Sequence, residues 1–200
     1  MRLACLLAML PLPAMADCVT ATNLPHGVLV SFASRESTVL LEMSPGIIET
    51  VDSFADGRPS VRSMGVHGIW PFLQQALAPN GRSLLPPIAH MDYGILDTEF
   101  PVPDALTPPY TVEVRNSTIG REALEQVDFS RFAPGNPLVL GDCTYDVVLV
   151  ARQVEDRTAG IVSQKLIYAW LPDPGAGVLV ASRKGDGPVS VLRVTAIRAM

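Results

Sequence analysis

Residues 141–182 read GDCTYDVVLVARQVEDRTAGIVSQKLIYAWLPDPGAGVLVAS. Two long runs rich in Val, Ile, Leu and aromatic residues flank the polar stretch Glu155-Asp156-Arg157-Thr158-Ala159-Gly160. A Pro172-Asp173-Pro174-Gly175 corner then leads into a third run. Apolar, β-branched segments bounded by Gly, Pro and Asp clusters are the signature of consecutive antiparallel strands. This stretch therefore predicts the centre of a β-sheet protein, with Cys143-Thr144-Tyr145 opening its first long strand.

The N-terminal third repeats the rhythm. Residues 26–34 (HGVLVSFAS) set Val28, Val30 and Phe32 on one face, and residues 38–43 set Val39, Leu41 and Met43 together. Runs at 47–51 and 60–70 follow, separated by Ser44-Pro45-Gly46 and Ala55-Asp56-Gly57-Arg58-Pro59, which makes a meander. Residues 71–78 (PFLQQALA) carry proline at the first position of an expected short helix. Asn80-Gly81 marks a tight turn.

Residues 84–109 hold Pro86, Pro87, Pro101, Pro103, Pro108 and Pro109 and read as irregular. So long a connection is usually a covering loop, a lid or a linker, and its apolar content (Ile88, Met91, Tyr93, Ile95, Leu96, Phe100, Val102) predicts that it packs down. Residues 110–115 (YTVEVR) alternate cleanly, with Tyr110, Val112 and Val114 on the covered face. Residues 120–126 suggest one or two helical turns and 128–141 a loop. Residues 188–198 (PVSVLRVTAIR) make a last strand.

The chain of 200 residues is 48% hydrophobic and 18% charged, with mean hydropathy +0.28, the profile of a globular protein. Its 18 prolines exceed an ordinary usage of about 5% and disfavour a helical bundle. Residues 1–16, MRLACLLAMLPLPAMA, read as a cleaved signal peptide: Arg2, an apolar run from Leu3 to Leu12, and an Ala14-Met15-Ala16 site. That run is too short to span a hydrocarbon core, which takes ~20 residues, and Pro11 and Pro13 break it. Asp17 before Cys18, where a small residue would be needed, disfavours a lipid-modified cysteine.

The expected product is one β-rich domain over residues 17–200, not membrane-spanning after cleavage, and periplasmic or secreted. The formal net charge of −5 has no clustered Lys/Arg against it, which disfavours nucleic acid as a partner. Cys5 leaves with the leader, so Cys18 and Cys143 are expected to pair in an oxidising compartment. The bridge closes a loop of about 125 residues, worth up to ~5 kcal/mol on the chain-entropy account.

No recognised catalytic or metal-binding frame is present: no His-Glu-x-x-His, no Cys-x-x-Cys, no Gly-x-Ser-x-Gly elbow and no phosphate-cradling loop. No cofactor is expected. The aromatic residues are more informative. Tyr168 and Trp170 share a face with Leu166, and Trp70 ends the first meander. Core packing explains that pattern, and so does a concave sheet face that receives an apolar ligand.

The order Cys143-Thr144-Tyr145, polar turn, then Tyr168-x-x-x-Pro172-Asp173-x-Gly175 resembles the bent antiparallel sheets of small exported bacterial proteins. Their architectural relatives are the half-barrel lipoprotein carriers of the LolA type. The resemblance implies an open, curved antiparallel sheet or half-barrel. No residue here matches a carrier's binding residues, so the carrier activity does not come with it.

The sequence thus predicts a mainly β protein of about eight to ten strands, with short helices or irregular loops over one face. A closed barrel or β-sandwich is the alternative. The expected function is non-enzymatic: binding of an apolar small molecule or lipid, or of an envelope protein, at Leu166, Tyr168, Trp170 and Trp70. The competing expectation is a periplasmic hydrolase with His67 or His90 as general base.

Overall fold

The computed structural model describes residues 18–78, 84–118, 121 and 123–200. The expected leader, the Asn80-Gly81 turn and Gly120 lie outside the described residues. Thirteen strands form one antiparallel sheet in the order β14-β13-β12-β11-β8-β7-β6-β5-β4-β3-β2-β1-β15, and β9 and β10 form a separate pair. The N-terminal meander is β1 (Val28–Phe32), β2 (Ser37–Ser44), β3 (Ile47–Ser53) and β4 (Val61–Val66). Its continuation is β5 (Trp70–Leu77), β6 (Leu84–Asp92), β7 (Tyr110–Thr118) and β8 (Leu124–Pro134). After the small pair β9 (Leu138–Leu140) and β10 (Cys143–Tyr145) come β11 (Val148–Asp156), β12 (Ile161–Leu171) and β13 (Ala176–Lys184). The chain ends on β14 (Ser190–Val191) and β15 (Val194–Ala199). The sheet is open and curved, as expected, and almost free of helix.

Several expectations need correcting. Residues 71–78 are not a helix but the body of β5. Pro71 sits where the β4–β5 register shifts between Met64 and Gly65, so its missing N–H leaves no gap in a regular ladder. Opposite it, a Cβ on Gly65 would run into the Trp70 carbonyl and Pro71 Cα. Residues 84–92 are not irregular but β6. The β5–β6 register jumps from Gln75↔Ile88 to Ala76↔Leu85, and Pro86 and Pro87 fall in that jump.

Residues 124–134 are the long strand β8 where a helical turn and a loop were expected. Its buried positions are Gln126, Asp128 and Ser130, so the covered face is polar and the apolar alternation that signals a strand is absent. β2 behaves likewise: Thr38 and Leu40 are buried, and Met43 is 48% exposed. Cys143-Thr144-Tyr145 does not open the long strand either; it pairs with Leu140-Val139-Leu138 before β11 begins.

The pairing of Cys18 with Cys143 is present, with Cα atoms 5.5 Å apart. It fastens the N-terminal segment to β10, where the buried Tyr145 hydroxyl also accepts the Val19 N–H at 3.0 Å. Around this tie lies one core, built from Leu24, Val28, Val30, Phe32, Leu40, Leu171 and Val178. A second core gathers Ile69, Trp70, Phe100, Val112, Val150 and Trp170. Beyond β6, the 84–109 stretch packs down only in part: Phe100 is buried with Tyr93 and Ile95 beside it, whereas Leu96 and Val102 are exposed.

Two features curl the sheet. His67 and Gly68 both have positive φ (55° and 70°), the two-residue turn that suits the right-handed twist of a hairpin. The tip of this β4–β5 turn reaches across to β13, where Gly177 N–H donates to the His67 carbonyl at 2.9 Å. Only glycine fits there, because a Cβ on Gly177 would strike Ile69. The C-terminal segment completes the wrap. β14 pairs with β13, Leu192 N–H donates to the Val180 carbonyl, and Ala33 N–H donates to the Arg193 carbonyl. β15 then pairs with β1. One short segment thus serves both ends of the strand order.

Candidate ligand recess

Curling brings the inner faces of β2–β5 opposite those of β12 and β13. The period-2 rule sends Thr38, then Thr50 and Asp52, then Ser63 inward from three successive strands. With Gln74, Gln164, Leu166 and Tyr168 they line a recess of ≈ 140 Å³. A second recess of ≈ 190 Å³ shares Pro71, Gln74, Gln164, Leu166 and Tyr168 with the first and adds Asn116, Gln126, Asp128, Arg152 and Lys184. The two are neighbouring compartments of one interior.

The wall between recess and aromatic core is an ion pair. Arg152 on β11 and Asp128 on β8 are directly bonded, their side chains 4% and 1% exposed. A buried pair is tolerated only when its remaining hydrogen-bonding positions are met. Here the guanidinium reaches Asp128 through Nε (3.0 Å) and Nη2, and the Ile69 carbonyl through Nη1. The Tyr168 hydroxyl lies 3.5 Å from Nη1. Burial alone would lower the Arg152 pKa, and the Asp128 carboxylate more than offsets it, holding the group firmly cationic. Burial pushes the Tyr168 and Tyr93 hydroxyls up, so both stay neutral donors. The Ser130 hydroxyl next along β8 meets the Trp70 indole Nε1 at 3.3 Å.

Asp52 differs from Asp128. Its carboxylate accepts the Thr38 hydroxyl at 2.6 Å, and among the described residues no Lys, Arg or His nitrogen lies within 4.0 Å of it. Desolvation raises its pKa, the Thr38 hydrogen bond opposes the rise, and Glu36 adds to it.

The residues singled out in the sequence separate into two groups. Leu166 and Tyr168 line both recesses. Trp70 and Trp170 are buried (0% and 4% exposed) in the second core. The Trp70 ring has Phe100 at 5.3 Å and Tyr110 at 6.3 Å, and Trp170 has the His67 ring at 5.2 Å. Phe100 comes from the proline-rich segment, so the chain itself covers the Trp70 end of the interior.

The three histidines occupy three places: His26 in an N-terminal 3-10 turn, His67 in the β4–β5 turn and His90 on β6. Burial lowers the His67 pKa. Among the described residues no group of three His, Cys, Asp or Glu could hold a metal ion. The polar interior of Asp52, Gln126, Asp128 and Arg152 was missed in the sequence. Its one signal is the period-2 series Gln126-x-Asp128-x-Ser130, followed by Arg152 between Val150 and Val154.

On the outer face, Leu138, Val139, Leu140, Leu149, Ala169 and Val180 line an open groove of ≈ 610 Å³ in which Val139 is 65% exposed. No helix among the described residues is long and apolar enough to cross a membrane. Comparison with protein-family models, with curated proteins and with solved structures finds no match.

Proposed function

We propose that this is an exported, periplasmic or secreted, non-enzymatic protein that binds a small molecule in the recess beside Leu166 and Tyr168. The observation that carries the reading is the pair of adjoining compartments, ≈ 140 and ≈ 190 Å³, that the curled sheet leaves open between its inner faces. The bridge between Cys18 and Cys143 supports an oxidising compartment, as does the leader-like N-terminus. Cavities of about 150 Å³ hold a ring the size of benzene. The occupant is therefore a compact molecule, or the end of a longer one whose apolar part rests on Leu166. Net negative charge without a basic patch argues against nucleic acid.

A second reading, an envelope protein as partner, has its own observation: the outer apolar groove with the exposed Val139. A hydrolase with His67 or His90 as base draws less support. The His67 ring is packed edge-on against Trp70 and Trp170, and His90 stands exposed on β6.

Native mass spectrometry of the protein purified from its own periplasm, followed by solvent extraction, tests the choice. The recess reading expects a small-molecule adduct that extraction releases. A stoichiometric second protein would favour the groove instead. The bare chain mass alone would count against both.

A further inference from the structure

Among the inward-facing acids, Asp128 has Arg152, whereas Asp52 faces the recess with a hydroxyl and no cation. Asp52 is half-buried at the recess wall, and a carboxylate partly removed from water gains from a cationic partner that replaces the lost hydration. We infer that the recess takes a small primary amine, its ammonium group seated against Asp52. The inference rests on the recess being the binding site and adds the class of ligand.

The neighbours fit the three N–H donors of an alkylammonium. Thr50, Ser63, Gln74 and Gln164, each with a side-chain oxygen able to accept, line the same recess as Asp52. A quaternary ammonium has no N–H to offer them and is recognised instead by an aromatic cage. Tyr168 is the one aromatic ring in this lining. A hard divalent cation needs more carboxylate and carbonyl oxygens than a single aspartate brings, and no three-ligand group occurs among the described residues.

Size limits the molecule to a benzene-like bulk in the first compartment. Its tail runs past Leu166 into the second, where Lys184 opposes another ammonium group, so the tail is neutral or anionic. The titratable groups facing Asp52 are Glu36, itself 3.6 Å from Arg58, and the Tyr168 hydroxyl. β4 and β5 contribute Ser63 and Gln74, which do not titrate.

Calorimetric titration with n-butylammonium chloride and with 1-butanol, a neutral match in shape, tests the inference. The amine is expected to bind saturably and the alcohol far more weakly. Asp52→Asn, checked for folding by circular dichroism, should weaken amine binding about tenfold or more by removing a charge-assisted contact. In the wild type, acidification that protonates Asp52 should weaken the amine and leave the alcohol alone. Leu166→Trp, which fills the recess and keeps the Asp52 carboxylate in the sequence, should abolish amine binding, and retention there would overturn the inference.

Equal binding of amine and alcohol, or an unaffected Asp52→Asn, would also overturn it while leaving the recess a binding site. If neither probe binds, the inference fails. A small molecule found by native mass spectrometry would then still uphold the recess reading, and its absence would remove both.

Discussion

Removing the Arg152 guanidinium strips the buried Asp128 of its bonded counter-charge, and the Ile69 carbonyl of a donor. Breaking such a pair from one side costs about 3–5 kcal/mol, whereas replacing both partners with apolar groups is often near neutral. Arg152→Met is therefore expected to lose that amount in urea denaturation, and Asp128→Leu with Arg152→Met to recover most of it. Asp52 gives a second expectation. Its folded pKa lies above the ordinary 3.8, so the folded state holds its proton more tightly than the unfolded state. That contribution is present below 3.8 and is lost as pH rises through the folded pKa. An asparagine side chain at this position has no proton to lose. In the absence of ligand, Asp52→Asn should melt level with wild type at low pH and progressively higher towards about pH 7. A gap that narrows as pH rises would contradict a desolvated carboxylate.

At the level of elements, what was legible depended on which face of a strand was apolar. β1 and β7 have apolar buried positions (Val28, Val30, Phe32; Val112, Val114), and the alternation of the sequence finds them directly. The β11–β12–β13 hairpins announce themselves by their turns. β8 and the inner side of β2 bury Gln126, Asp128, Ser130 and Thr38, so the rule that apolar residues face inward points to the wrong side. β5 and β6 were hidden by prolines, which a regular ladder excludes and a register jump accepts. The same physics hides the recess, since Thr38, Thr50, Asp52 and Ser63 put polar side chains on the inner face, where the alternation rule looks for apolar ones. Leu166 and Tyr168 stood on a legible strand. Gly177 is the contact on which the curl depends, and no alternation marks it. Gly177→Val should drive a side chain into Ile69 and cost about 1–3 kcal/mol by overpacking, read as a lower urea midpoint. No change in midpoint would mean that the β4–β5 turn does not dock on β13.

For the whole molecule, the sheet has two ends and the chain binds both. The Ser190-to-Ala199 segment is shared between β13 and β1, and the disulfide ties residue 18 to residue 143 across a separation of 125 residues. A loop of that length limits the unfolded chain more than it changes the folded one. Reduction is expected to lower stability by about 2–5 kcal/mol with the strand content retained under native conditions. Matching denaturation curves with and without reductant would show that the tie carries no weight. The pairing itself could be argued from two cysteines and a leader-like segment. The path by which the C-terminus joins both ends could not, because it depends on contacts far apart in sequence.

If the interior left open by this curl takes a ligand, that ligand should accompany the protein through purification. Amide NMR spectra of the protein as purified from its natural host, and again after denaturing extraction and refolding with the disulfide intact, test this. Shift differences are expected only at residues around the recess, Asp52, Ser63, Gln164, Leu166 and Tyr168, and should return when the extract is added back. Superimposable spectra before and after extraction, or changes centred instead on Val139 and the outer groove, would contradict a ligand in the recess.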